Sequence, residues 1–265
     1  MGAERSVGIA AAIEPVIATQ IHTTSAGLLA SDITIPTADG NIPAYVALPS
    51  GDGPHPVVLV VQEIFGVHEH IRDVVRRFAH LGYLAIAPEL YVRQGDVSQL
   101  PLIDDIRRVA ASVPDAQVLS DLDATLAWAT SHSGDAKRVA ITGFCWGGRI
   151  TWLYAAHQPA LKAAVAWYGR LQGESTHLQP RAALDVVGEL KAPVLGLYGG
   201  QDSGIPQDSV QKFLFALNEV GSRSKVHIYA EAPHAFFADY RSSYRKVAAE
   251  DGWQRALEWF RQHGV

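Results

Sequence analysis

The sequence predicts an α/β fold, with a mostly parallel sheet and helices on both of its faces. Six apolar runs, each bounded by turn residues, alternate with segments of helical periodicity. Continuous apolar runs are typical of parallel strands that are buried on both faces. Regular alternation of strand and helix predicts that helices cover both sides of the sheet. In such sheets the functional residues collect in loops at the carboxyl ends of strands.

The elements follow one another in a regular order. Residues 32–49 alternate apolar and polar side chains around a turn at Asp39 and Gly40, which predicts a half-exposed hairpin. The buried strands are then expected at 56–61, 83–88, 138–143, 162–168, 192–199 and 225–230. Helices are expected at 71–82, 115–132, 149–158 and 206–221, with a last helix over 251–264. In that last helix Trp253, Leu257 and Phe260 fall on one stripe.

The composition is that of an ordinary globular chain. It has 265 residues, of which 48% are hydrophobic and 18% are charged, enough to bury one sizeable core. No linker rich in Ser, Pro or Gly separates two halves, so we predict a single domain over 28–265, preceded by a peripheral N-terminal arm over 1–27. Gly2 and Ser6 match a loose myristoylation pattern, for which we favour an accidental match or a cloning remnant.

Charge and cysteine content narrow the class of partner. The net charge is −5 with both signs interleaved, so the sequence shows no basic stripe for nucleic acid or anionic lipid. No apolar stretch reaches the ~18 residues of a membrane span, and Glu14 and Pro15 interrupt the N-terminal apolar segment that a secretory signal would need. A single cysteine excludes an internal disulfide and fits a reducing compartment. We expect a cytoplasmic protein, monomeric or a small homo-oligomer, that acts on a small molecule.

The single cysteine lies in a distinctive motif. Cys145 stands between Gly143 and Gly147 in "ITGFCWGGRI", after a predicted strand and before a predicted helix. This is the nucleophile-elbow pattern with sulfur in place of the usual serine oxygen. Glycines two residues to either side leave room for a sharp turn that brings backbone segments close together. We therefore predict that Cys145 is a catalytic nucleophile.

A thiol nucleophile needs a base and a carboxylate that orients the base. In this architecture they follow the nucleophile in the order acid, then histidine, each after a strand. Asp202 follows the predicted strand 192–199, and His234 follows the last predicted strand. Asp208 is the main competitor of Asp202, but it falls in the predicted helix that starts after Pro206. The sequence therefore predicts a Cys145, His234, Asp202 triad.

A carboxylate also follows the first buried strand. Glu63 lies in the loop that supplies one backbone N–H of the oxyanion hole in this architecture, where a negative charge opposes an oxyanion. A helix N-terminal acid is an equally good interpretation from local sequence alone. The run Glu63, His68, Glu69 and His70 lacks the HExxH spacing of a metal site and has no thiolate companion, so we predict no metal.

Taken together, these motifs resemble the dienelactone hydrolases, or carboxymethylenebutenolidases. The resemblance covers the chain from about residue 32 onward. It lies in "QEIFG" with Glu63, "PELYVRQ" with Arg93, "GFCWGG" with Cys145, "GGQDSGIP" with Asp202 and "PHAFF" with His234. It implies the α/β-hydrolase fold with an eight-stranded sheet and no lid domain, and cofactor-independent hydrolysis of a lactone enol ester. It also implies that Glu63 interacts with the resting thiol and is displaced when substrate binds.

The resemblance assigns further site residues. The backbone N–H groups of Ile64 and Trp146 are expected to form the oxyanion hole, and Arg93 to bind a substrate carboxylate. Archetypal members of the family carry a second arginine four residues after the histidine, where this sequence has Ala238. Arg241 follows three residues later and is a candidate replacement.

Two other classes stay open at this stage. One is a general carboxylesterase or peptidase-like acyl hydrolase on the same scaffold. The other is a non-catalytic thiol sensor, which the absence of a second, resolving cysteine disfavours.

Overall fold

The computed structural model describes residues 12–265, so the pattern at Gly2 and Ser6 lies outside the described residues. Eight strands form one sheet in the order β1-β2-β4-β3-β5-β6-β7-β8. The strands are β1 (Leu28–Thr37), β2 (Gly40–Pro49), β3 (His55–Val61), β4 (Leu84–Pro88), β5 (Gly134–Phe144), β6 (Ala163–Trp167), β7 (Val194–Gly199) and β8 (Lys225–Tyr229). The hairpin β1-β2 and the pair β2-β4 are antiparallel, and the remaining pairs are parallel.

Helices connect and cover the strands. They are α1 (Glu69–His80), α2 (Ile103–Ala111), α3 (Asp115–Ser131), α4 (Trp146–His157), α5 (Gln207–Glu219) and α6 (Lys246–Gln262). Short 3₁₀ segments occupy Ile17–Thr19, Val97–Gln99 and Ala183–Glu189. The five helices predicted from the sequence are all present, and their ends differ from the predicted ones by a few residues.

The strand order explains why helices lie on both faces. The crossover from β3 through α1 to β4 runs in one direction along the sheet, whereas those through α3, α4 and α5 run in the other. Because crossovers between parallel strands are right-handed, a reversal of direction places helices on opposite faces. In α6, Phe260 and Trp253 pack against Phe78 of α1, so α6 joins the α1 face. The predicted fold class is confirmed.

Helix α2 is the element that the periodicity missed. Its sequence IDDIRRVAA has four charged residues among nine, and only Ile106 and Ala110 are buried. At nine residues this helix is shorter than the stretch of about 11 to 18 residues over which helical periodicity is recognised. It lies in the connection between β4 and α3, away from the apolar runs that define the sheet.

The described part of the N-terminal segment lies across α1. The backbone N–H and hydroxyl of Thr23 bond to Asp73, and Arg76 donates to the Thr23 carbonyl at 2.7 Å. His80 reaches the carbonyl of Thr24 at 2.7 Å. Within the described residues, no helix is both long enough and apolar enough to cross a bilayer.

Candidate active site

Parallel pairing brings several loops to one edge of the sheet. Val61 at the end of β3 pairs with Gly143 of β5, and Trp167 at the end of β6 pairs with both Phe144 and Leu197. The loops that follow β3, β5, β6, β7 and β8 therefore open at the same carboxyl edge. This is the edge at which the sequence predicts the functional residues.

Cys145 occupies a sharp turn between β5 and α4. Its φ is 55° and its ψ is −112°, a left-handed conformation that is strained for a residue with a side chain. The Cys145 N–H donates to the Trp167 carbonyl at 3.0 Å, and the Cys145 carbonyl accepts from Gly148 at 3.0 Å. These bonds hold the thiol at the N-terminus of α4, in a partly exposed position.

The two glycines of the elbow are required by close backbone contacts. A Cβ on Gly143 would lie 2.2 Å from the Gly147 carbonyl oxygen, and a Cβ on Gly147 would lie 2.5 Å from the carbonyl oxygens of Val61 and Gln62. No side chain fits at such distances. The close approach predicted for this turn is therefore present, and it sets the thiol beside the end of β3.

His234 and Asp202 lie side by side. His234 Nδ1 is 2.6 Å from Asp202 Oδ2, while Asp202 Oδ1 accepts backbone N–H bonds from Gly204 at 2.9 Å and Ile205 at 3.1 Å. An ionised carboxylate only accepts, so Nδ1 carries the proton and Nε2 is left for the thiol. Asp208 is exposed in the first turn of α5. The geometry thus pairs His234 with Asp202 rather than with its competitor.

The surroundings of His234 favour its protonated form. Burial lowers the pKa of His234, but the hydrogen bonds to Asp202 and to Cys145, together with their negative charges, raise that pKa to about 10. The side chain keeps about a third of its surface exposed, at 34%. His234 can therefore hold a proton for a leaving group, and part of its ring is open to solvent.

Backbone strain concentrates around this site. Of the four non-glycine residues with positive φ in the described chain, three border it: Cys145, Tyr168 and Ala235. The Tyr168 ring packs edge-on against the His234 ring at 5.2 Å. Strained conformations persist where the surrounding structure fixes them, and they cluster at functional sites.

Glu63 is fully buried behind the elbow. Its Oε2 accepts from the Tyr240 hydroxyl at 2.6 Å and lies 3.2 Å from His68 Nε2. Burial opposes ionisation, yet the hydrogen bond from His68 and the nearby charge of Arg241 hold the pKa of Glu63 below its usual range. Within the described residues, no hydrogen bond joins Glu63 to Cys145 directly.

Two backbone donors are available next to the thiol. Within residues 12–265, the N–H groups of Ile64 and Trp146 make no hydrogen bond to another protein group. Ile64 follows Glu63 in the loop after β3, and Trp146 is the first residue of α4. Unpaired N–H groups at a helix N-terminus suit an anionic oxygen.

The two candidate arginines differ in their partners. Arg93 is held by Asp121 through two bonds of 2.9 Å and 2.6 Å, and by Asp39 at 2.6 Å. No hydrogen bond or ion pair connects Arg93 to the other predicted site residues in the described chain. Arg241 instead lies over the Phe65 ring at 5.7 Å, and its side chain has no ion pair within residues 12–265. The structure therefore brings Arg241, and not Arg93, to the Glu63 side of the site as an unpaired cation.

Sequence reasoning selected Glu63 and the backbone N–H of Trp146, but it missed the other polar groups around the thiol. Five buried side-chain groups near it have no hydrogen-bond partner within the described residues: Gln62 Nε2, Glu63 Oε1, Tyr91 OH, Trp146 Nε1 and Tyr168 OH. Unpaired buried polar groups are costly and call for an explanation. A polar substrate is a natural partner for them. Tyr91 and Tyr168 also end or follow apolar runs, which gives them the sequence signature of core residues.

A metal is not suggested by the arrangement. Within the described residues, no group of three or more His, Cys, Asp or Glu side chains could hold a metal ion. In the run Glu63, His68, Glu69 and His70, the first two residues are hydrogen-bonded to each other.

Comparisons with known proteins agree on one family. The model of the dienelactone hydrolase family matches residues 42–264. A protein of Methylorubrum extorquens, provisionally named carboxymethylenebutenolidase, is 58% identical over 263 residues, which cover 98% of this chain and 90% of that protein. A similarly named protein of Escherichia coli K12 is 53% identical, covering 100% of this chain and 98% of the relative.

A solved structure extends the agreement to three dimensions. The crystal structure of a provisionally named dienelactone hydrolase from Klebsiella pneumoniae superposes with a TM-score of 0.87 at 56% sequence identity. The match covers 89% of this chain and 99% of that one.

Proposed function

This chain belongs to the dienelactone hydrolase family and is a hydrolase, and from that premise we propose that it cleaves a lactone enol ester or a related carboxylic ester through Cys145, His234 and Asp202. The observation that supports this most directly is the 2.6 Å bond between His234 and Asp202, beside a strained cysteine elbow. The proposed partner is a small-molecule ester or lactone in the cytoplasm, the protein being a monomer or a small homo-oligomer.

The proposed reaction begins with acyl transfer to sulfur. Glu63 takes the thiol proton, and the Cys145 sulfur attacks the ester carbonyl. The N–H groups of Ile64 and Trp146 stabilise the resulting oxyanion. Its collapse forms a thioester and breaks the bond to the enol oxygen, which takes a proton from His234. The raised pKa of His234 supports this acid role.

The second half of the proposed reaction regenerates the enzyme. His234, now neutral, removes a proton from a water molecule that attacks the thioester. Collapse of that intermediate releases the carboxylic acid, and the leaving sulfur recovers its proton from Glu63. Asp202 keeps Nδ1 protonated throughout, so that Nε2 acts on the thiol side. Glu63 thus returns the proton that it took from the thiol, and His234 regains from water the proton that it gave to the enol oxygen.

A general carboxylesterase is the second candidate function. Ala238 stands where the family carries its second arginine, and Arg93 is already paired with two carboxylates. An enzyme with few free cations at its site has less reason to select a carboxylate-bearing lactone. Arg241 is the feature that argues the other way, since it is a cation near Glu63 with no ion pair in the described part of the chain.

We expect Arg241→Gln to separate these candidates. If Arg241 binds a substrate carboxylate, the variant loses about 10- to 100-fold in kcat/KM on a carboxylate-bearing dienelactone, the usual range for a charged hydrogen bond. Turnover of a neutral aryl ester changes by less than about threefold. A steady-state panel of lactones and aryl esters measures both.

Arg93→Gln is the matched control for this experiment, because it removes the same charge from a guanidinium that Asp121 and Asp39 already neutralise. If only Arg93→Gln loses kcat/KM on the carboxylate-bearing dienelactone, then Arg93, and not Arg241, binds the substrate carboxylate. Equal rates of all variants on all substrates, with aryl esters preferred, would favour the general carboxylesterase.

Glu63→Gln tests the base that takes the thiol proton. The change keeps shape and hydrogen-bonding reach but removes the basic charge, so we expect kcat/KM to fall by about 10² to 10⁴-fold. Because a nearby anion disfavours a thiolate, the pH profile of iodoacetamide alkylation at Cys145 should move to lower pH in the variant. Unchanged turnover would reduce Glu63 to a structural residue of an ordinary Cys-His-Asp hydrolase.

A further inference from the structure

Both hydrogen bonds to Glu63 fall on the same carboxylate oxygen. Tyr240 donates its hydroxyl to Oε2 at 2.6 Å, and His68 Nε2 lies 3.2 Å from that same atom. Burial lowers the pKa of His68, which favours the neutral ring, and a neutral ring facing a carboxylate carries its proton on Nε2. Glu63 Oε2 therefore accepts from two donors that are both removed from water.

The other oxygen is left without a donor. Glu63 Oε1 is buried and has no hydrogen-bond partner among the described residues. A buried carboxylate oxygen without a donor is costly, so Oε1 is the atom of Glu63 that is open to a further donor. Oε2 of Glu63 thus accepts two hydrogen bonds, whereas Oε1, the free oxygen, accepts none from the described residues.

The free oxygen belongs to a loop that lies beside the cysteine turn, because a Cβ on Gly147, two residues after Cys145, would come 2.5 Å from the carbonyl oxygen of Gln62, the residue before Glu63. Burial raises the pKa of Tyr168 well above its usual value, and the charges of Glu63 and of a Cys145 thiolate raise it further. Glu63 and Cys145 thus act on one buried phenol. The titratable and charged groups that act on Glu63 from the elements around it are His68, His70, Tyr168, Tyr240 and Arg241.

Hydrogen bonds from other segments hold the chain around Tyr240 in place. Its backbone carbonyl accepts from Val16 N–H at 2.9 Å, and the carbonyl of the preceding Asp239 accepts from the Thr19 hydroxyl at 2.6 Å. The Asp239 carboxylate is bound by Arg77 of α1 at 2.6 Å. The N-terminal segment and α1 together fix the backbone that carries the Tyr240 hydroxyl.

We propose that His68 and Tyr240 are positioning residues that hold Glu63 Oε2 and so direct Oε1 to the proton of the Cys145 thiol. This inference rests on the proposed function, since it concerns the base of that reaction. It assigns His68 a role other than metal binding. It also explains why a histidine and a tyrosine are buried around this carboxylate.

Tyr240→Phe and His68→Leu each remove one donor. With one donor lost, the carboxylate is less firmly oriented, and we expect kcat on the best ester to fall by about 10- to 100-fold while KM stays within about threefold. The acidic limb of the kcat profile should move to higher pH, because a carboxylate that loses a donor to its charged form binds protons more readily. His68→Gln retains an N–H donor and should recover most of the rate that His68→Leu loses.

Tyr154→Phe is the matched control. The buried Tyr154 also donates its hydroxyl to a carboxylate, that of Asp123 at 2.9 Å, but in a contact between α4 and α3. It should show wild-type kcat and an unmoved acidic limb. A kcat loss in Tyr154→Phe equal to that in Tyr240→Phe would overturn the proposal, because a general effect on the fold would then explain both.

Failure of the proposal and failure of the proposed function give different results. If both Tyr240→Phe and His68→Leu keep wild-type kcat while Glu63→Gln is impaired, the positioning role is wrong and the hydrolase mechanism stands. If Cys145→Ala keeps wild-type turnover, the proposed function itself is wrong. Thermal unfolding of each variant shows which of them are folded, and His68→Gln provides a readout that does not depend on His68→Leu being stable.

Discussion

Cys145→Ala is expected to remove nearly all ester hydrolysis, by about 10⁵ to 10⁶-fold in kcat. Loss of the nucleophile disables a triad that acts as a unit, leaving only the contributions of the oxyanion hole and of binding. Initial rates on the best lactone and on an aryl ester measure the loss. Because Cys145 is the only cysteine in the chain, one iodoacetamide label per wild-type protein should accompany full inactivation.

The Cys145→Ala substitution should remove the sulfur without changing the structure of the turn. Alanine at φ 55° carries the same backbone strain as cysteine, so the change removes the sulfur with little effect on the turn. Circular dichroism and thermal unfolding should therefore match the wild type. Wild-type turnover in a folded Cys145→Ala protein would refute the nucleophile-elbow interpretation of this motif.

The sequence predicts the parallel sheet and the loops that carry Cys145, Asp202 and His234, because buried strands and the glycines of a tight turn leave local signatures. The close contact of Gly147 with the end of β3 follows from the same local pattern. These features depend on neighbours in the chain or on the regular order of strands. For that reason they can be predicted from the amino-acid sequence.

Contacts between distant parts of the chain leave no such signature. The bond from Tyr240 to Glu63 joins residues separated by 177 positions, and nothing local marks either residue as the other's partner. The family resemblance suggests Arg93 as a substrate-binding residue, whereas the structure pairs it with Asp121 and Asp39. Only the folded chain shows that Arg93 is already neutralised, whereas Arg241 has no ion pair among residues 12–265.

Asp202→Asn is expected to lower kcat by up to about 10⁴-fold. Asparagine preserves the size of the side chain, but it no longer offers His234 Nδ1 an anionic acceptor, so the imidazole loses its tautomer and its orientation. The carboxylate also helps to raise the pKa of His234 to about 10. Its removal should lower that pKa, so the ring deprotonates at lower pH than in the wild type. Steady-state rates and an NMR titration of the His234 ring measure the two effects.

Asp208→Asn is the matched control for Asp202→Asn. It makes the same chemical change six residues later, at an exposed position in the first turn of α5. Loss of a first-turn acid there weakens only a favourable helix-dipole contact, on the order of 0.3 to 1 kcal/mol of stability, so turnover and the titration of His234 should stay at wild-type values. The opposite ranking, with Asp208→Asn the more damaging change, would mean that the acid of the triad has been assigned to the wrong residue. If neither variant loses activity, His234 works without a carboxylate partner, and the 2.6 Å bond to Asp202 has only a structural role.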